Sequence, residues 1–187
     1  MKTAFTVNIA STFSLLLLTA SAQADSFVLR SSDIQNGQTL TAAQVFKGFG
    51  CSGDNRSPQL GWSNAPAGTK SFAVTVYDPD APTGSGWWHW VVFNIPASVT
   101  SLPTDAGNPA AKLAPAGAVQ SRTDFGMPGF GGACPPQGHG KHRYIFTVHA
   151  LNVEKLALDE QVPAAMVGYN LNAHSLGKAQ LEAFFER

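Results

Sequence analysis

The chain has no surplus of either charge: 12 Lys and Arg stand against 12 Asp and Glu, and only 13% of its 187 residues are charged. Without a basic field, long-range attraction cannot be what binds nucleic acid or an anionic membrane surface. Any bound anion must be held by local geometry. Cysteine is scarce, with only Cys51 and Cys134. Neither belongs to a Cys-x-x-Cys pair, which argues against a structural zinc site. There is no Gly-x-Ser-x-Gly elbow, no Gly-x-x-x-x-Gly-Lys-Ser/Thr loop and no His-Glu-x-x-His pair. The common serine-hydrolase, phosphate-loop and zinc-protease signatures are therefore missing. Repeats, heptads and low-complexity linkers are also absent, and the length suits one domain with its own core.

Long apolar runs are lacking except at the start. Lys2 precedes an apolar stretch over residues 4–20 centred on Leu15-Leu16-Leu17-Leu18, and Ala22-Gln23-Ala24 fits the small-x-small cleavage pattern. Thr6, Asn8, Ser11, Thr12 and Ser14 interrupt the stretch, so it falls short of the ~20 apolar residues of a membrane span. Residues 1–24 read as a signal peptide cut after Ala24. Residues 25–187 read as a single domain delivered to the periplasm or secreted, with no stable membrane insertion. No Cys follows the cut, so no lipid anchor is expected. In an exported chain the two cysteines read as a Cys51–Cys134 disulfide, with two buried free thiols as the alternative.

Strand patterns dominate the rest of the chain. Residues 27–30, 59–62, 71–77, 87–94 and 144–151 are rich in β-branched and aromatic residues or bounded by turn signals. Residues 178–185 alternate Ala179, Leu181, Ala183 and Phe185 with Lys178, Gln180 and Glu182, so period two predicts a strand despite good helix formers. One helix is expected over residues 163–172, with Pro163 in its first turn. The long Gly/Pro/Ala-rich loops between Pro96 and Lys141 must be functional or tied down. The fold class is all-β with one or two short helices.

Two clusters carry the chemistry. The first runs Asp78-Pro79-Asp80-Ala81-Pro82-Thr83-Gly84-Ser85-Gly86 into Trp87-Trp88-His89-Trp90. Proline fixes φ and has no N–H, so this is a stiff loop feeding a strand. The second, Cys134-Pro135-Pro136-Gln137-Gly138-His139-Gly140-Lys141-His142-Arg143-Tyr144, repeats the plan. Alternation places His89 on a face with Trp87, Val91 and Phe93. It places His142 and Tyr144 on a face with Phe146 and Val148, and His149 on the opposite one. Imidazoles and a phenol donate hydrogen bonds, and backbone near Gly131-Gly132 could add N–H donors. Such a set suits a small oxyanion, with Asp78 orienting an imidazole or taking a ligand amine. Arg143 points away, and at least one of the three tryptophans is expected to shape the pocket rim.

Together the clusters resemble the phosphatidylethanolamine-binding protein family, also called Raf-kinase-inhibitor-like, and its bacterial branch. The resemblance spans residues 27–187. It implies a large antiparallel sheet packed on a smaller one, and a non-enzymatic binding protein without a cofactor. By resemblance Asp78, His89, Pro135, His142 and Tyr144 match the family's anion pocket, with Ala81, Pro82 and Gly132 lining it. The implied ligand is a phosphate-like anion or phospholipid head group, which leaves room for a partner protein that is modulated or inhibited, and for a homodimer. The family's cis proline in this loop makes Ala81–Pro82 a candidate cis bond. Cys134 before the double proline, and a short tail in place of the animal C-terminal helix, depart from the animal pattern. Two rivals remain: a hydrolase or phosphotransfer enzyme using Asp78, His89 and His142 as acid and base, and a metal site built from the same three residues.

Overall fold

The computed structural model describes residues 1–2 and 26–187. The expected signal peptide lies outside the described residues apart from its first two positions. Five strands form the main sheet, in the order β10-β9-β5-β6-β8 and antiparallel throughout. They are β5 (Ser71–Asp78), β6 (Trp87–Pro96), β8 (Val119–Gln120), β9 (His142–Leu151) and β10 (Ser175–Phe185). A smaller sheet pairs β1 (Val28–Arg30), β4 (Leu60–Ser63) and β7 (Ser101–Leu102), and β2 (Lys47–Gly48) pairs with β3 (Cys51–Ser52). The helix α1 spans Ala164–His174, with Pro163 capping its start in extended conformation.

Three layers result. Leu29, Leu60, Trp62 and Leu102 of the small sheet bury against Phe72, Val74, Val76, Val92, Phe146 and Val148 of the large one. On the other face Ala73, Val91, Phe93 and Leu151 bury against Ala164, Val167 and Leu171 of α1. This is the expected sheet-on-sheet architecture, with a helix added as a third layer. In β10, Ala179, Leu181 and Ala183 are buried as the alternation requires. Ten residue pairs with β9 outweigh its helix-forming composition.

Strand alternation shifts at two places in the β5–β6 pairing, and the one at His89 shapes the cavity. Val76 pairs with Trp90, but Tyr77 pairs with Trp88, so His89 is an extra residue in β6. This bulge turns His89 onto the inner face, 5.1 Å from Tyr144 ring to ring. The expected grouping of His89 with Val91 and Phe93 is therefore corrected, because those two face α1. The Ala81–Pro82 bond is also not cis, since no cis peptide occurs among the described residues. The turn tightens instead through the Thr83 N–H, which donates to the Ala81 carbonyl at 2.8 Å.

Candidate binding site

A cavity of about 200 Å³ opens where the two clusters meet at the ends of β5, β6 and β9. Asp78, Ala81, Pro82, His89, Pro135, His142 and Tyr144 all line it, together with Phe49, Thr83, Trp87, Phe125, Cys134 and Pro136. β5 delivers Asp78 at its last residue, the bulge delivers His89, and β9 delivers His142 and Tyr144 two residues apart on one face. Gly86, at φ 67°, brings the first loop against Tyr77, where a Cβ would lie 2.2 Å from the phenol oxygen.

Buried Asp78 is fully engaged. Its Oδ1 accepts the Asp80 N–H at 2.8 Å, and its Oδ2 accepts from His142 Nδ1 at 2.7 Å. That bond sets the His142 tautomer and leaves Nε2 to accept from His139 Nδ1 at 2.8 Å. A carboxylate, a buried imidazole and an exposed imidazole thus form one chain from the cavity wall to solvent. Next door Arg143 grips Asp80 with two nitrogens at 2.9 and 2.7 Å. This guanidinium holds the Asp80 carboxyl at about 2, well below the usual range.

His89 donates from Nδ1 to the Gly131 carbonyl at 2.7 Å. Burial pushes its pKa down, against the upward pull of that carbonyl and of Asp78 and Asp124. The cavity is therefore lined by a neutral imidazole. Burial pushes the Tyr144 phenol up, so it stays protonated. Its oxygen is buried and finds no hydrogen-bond partner among the described residues. Pro82, Pro135 and Pro136 contribute walls without N–H donors.

Gly132 does not line the cavity. Its N–H donates to Asn55 Oδ1 at 2.7 Å, and the Gly131 N–H donates to the His89 carbonyl. Both expected backbone donors are thus engaged elsewhere. Gly132 is needed for close approach, because a Cβ there would lie 2.3 Å from the Gln44 carbonyl oxygen. Arg143 faces outward as expected. Trp87 reaches the cavity, Trp90 enters the inner core and Trp88 packs on the helix side. The Cys51–Cys134 bridge is present and joins loops 83 positions apart at the cavity wall. Among the described residues no three His, Cys, Asp or Glu converge to hold a metal ion.

Residues 30–186 match the family model of the phosphatidylethanolamine-binding proteins. The chain belongs to the phosphatidylethanolamine-binding protein family. It is 56% identical over 172 residues to the UPF0098 protein YbcL of Escherichia coli K12, covering 92% of this chain and 94% of that protein. It is 54% identical over 157 residues to YbhB of the same organism, covering 84% and 98%. The crystal structure of E. coli YbcL, described as a new member of the mammalian family, matches with TM-score 0.85 at 56% identity, covering 86% of this chain and 98% of that one.

Sequence reasoning missed several residues of the cavity. Phe125 comes from a loop read only as glycine-rich. It packs on Phe46, Trp87 and His89 at ring distances of 4.6, 5.5 and 5.4 Å. Phe49 stacks on Phe125, with 67% of its own surface exposed. His139 was legible only as the first histidine of the second cluster, three residues before His142. No membrane-spanning helix occurs among the described residues.

Proposed function

We propose that this protein binds a small phosphate-like oxyanion in the Asp78–His89–His142–Tyr144 cavity and performs no chemistry on it. The observation that carries the reading is Tyr144. Its hydroxyl is a buried donor without a partner among the described residues, beside a His89 that burial keeps neutral. An unmatched buried hydroxyl lowers stability by about 1–3 kcal/mol, a loss that a bound acceptor removes. Among the described residues no fixed cation lines the cavity, so charge balance must come from a proton. An arriving anion favours protonated His89, and binding then takes up a proton.

The lining also favours binding over hydrolysis. The Thr83 hydroxyl is held by the Gly86 carbonyl, and Cys134 is oxidised. Neither of these side chains is therefore free to act as a nucleophile on the ligand. The disulfide supports export to an oxidising compartment. The aromatic rim of Phe49 and Phe125 around the mouth supports a role in which ligand and partner protein share one surface.

Calorimetric titration with inorganic phosphate tests the reading. Affinity should rise as pH falls from 8 to 6, and two buffers of different ionisation enthalpy should reveal the proton uptake. Sulfate, which does not titrate in this range, should show the same trend. His89→Ala should weaken phosphate about ten- to a hundredfold. Tyr144→Phe should weaken it too while leaving urea stability equal or higher, because it deletes an unpaired hydroxyl. Undiminished binding in Tyr144→Phe sinks the reading, as does the absence of phosphate binding in the millimolar range.

A further inference from the structure

We infer a second small-molecule site, on the helix-covered face of the large sheet, that takes a small planar carboxylate. It does not depend on the phosphate reading. A cleft of about 190 Å³ runs between α1 and strands β5, β9 and β10, nearly as large as the first cavity. Thr75, Thr147 and His149 form part of its lining, only 4, 5 and 6% exposed. Their apolar neighbours on this face, such as Ala73 and Leu151, pack against α1. Three buried polar side chains on such a face reduce stability unless each has a partner.

Two of the three are satisfied. Thr147 Oγ1 accepts from Gln180 at 3.0 Å, and Thr75 Oγ1 lies 3.2 Å from His149 Nε2. His149 Nδ1 has no partner among the described residues. Burial, reinforced by Lys178, holds this imidazole neutral, at about 3. An orphaned ring nitrogen at this depth calls for an explanation, and a ligand supplies one.

The remaining walls define the ligand. Tyr77 and Trp88, with ring centroids 4.7 Å apart and planes tilted by 46°, give an aromatic side. α1 passes Trp88 at Gly168, where a Cβ would lie 3.4 Å from the indole, so the helix backbone comes close to the ring there. Lys178 sits opposite His149 on the neighbouring strand and donates to Asn172 Oδ1 at 2.7 Å. Among the described residues no Asp or Glu lines the cleft. One ammonium, no acid, two aromatic rings and an unpaired imidazole nitrogen complement a monoanion with a flat apolar body. A phosphate dianion fits less well, because a single rim cation faces it.

Benzoate is the probe. The side-chain nitrogens of ¹⁵N-histidine-labelled protein are followed by NMR, with the His149 signals assigned from His149→Gln. Benzoate should shift them with a Kd of about 1 mM, equally in wild type and in His89→Ala. Lys178→Gln, at an exposed position, should weaken binding about fivefold. Benzamide, equal in shape and uncharged, should bind at least that much more weakly than benzoate. Three results would overturn the site: His149 signals unmoved at ten times that concentration, wild-type benzoate affinity in Lys178→Gln, or shifts confined to His89, His139 and His142.

Discussion

At the scale of single residues, His142 has no donor to spare for an anion: its Nδ1 serves Asp78 and its Nε2 accepts from His139. His142 Nε2 is capped by His139 Nδ1 at 2.8 Å, and the cavity offers an anion only Tyr144 and His89. His139→Ala should therefore change phosphate affinity at pH 7 by less than about twofold, because the nitrogen it uncovers carries a lone pair and no proton to donate. Calorimetry on the variant decides it, and weaker binding would make His139 a ligand contact instead. Asp78, His142 and Tyr144 could be read from the chain because each adjoins a proline loop and strand alternation puts the last two on one face. Gly132 was misplaced in the lining because glycine's two uses, donating an N–H to a ligand and letting backbones touch, look alike in sequence. Only the 2.3 Å approach to the Gln44 carbonyl separates them.

Among elements, the strands were legible and their register was not. Composition marks out β5, β6, β9 and β10, but the bulge at His89 exists only relative to β5. A single strand read by itself gives no sign that Tyr77 pairs with Trp88 and not with His89. The short strands β2, β3, β7 and β8 were hidden for a related reason. Two residues carry no periodicity, and only their partners make them strands. The loop elements around the cavity are held by the Cys51–Cys134 bridge and by Arg187, whose Nε donates to the Pro135 carbonyl at 2.6 Å. Closing a loop of this span is worth about 4 kcal/mol in the chain-entropy model. The double variant Cys51→Ser with Cys134→Ser should lose about 2–4 kcal/mol in urea melts, and it should also bind phosphate more weakly. Loss of stability with unchanged affinity would show that Arg187 alone suffices to hold the cavity wall.

For the whole molecule, burial of His89 and His149 weakens the fold in acid. Folded His149 resists protonation down to about 3, whereas an unfolded imidazole takes up its proton near ~6.5. Between those values the unfolded chain binds the extra proton, so stability falls as pH falls, by about 1.4 kcal/mol per pH unit. His89, also lowered by burial, acts in the same direction. His149→Leu should therefore lose about 2 kcal/mol less than wild type between pH 6.5 and 4.5. Urea melts at the two pH values measure this, and equal losses would remove His149 from the account. The disulfide has a consequence of another kind. With two cysteines in the chain, only one intramolecular pairing exists, and no wrong bridge can form within the molecule. Oxidative refolding from the reduced, denatured state should then pass through no non-native intramolecular disulfide. A catalyst that only reshuffles mispaired bridges should leave its rate unchanged, whereas an added oxidant should raise it.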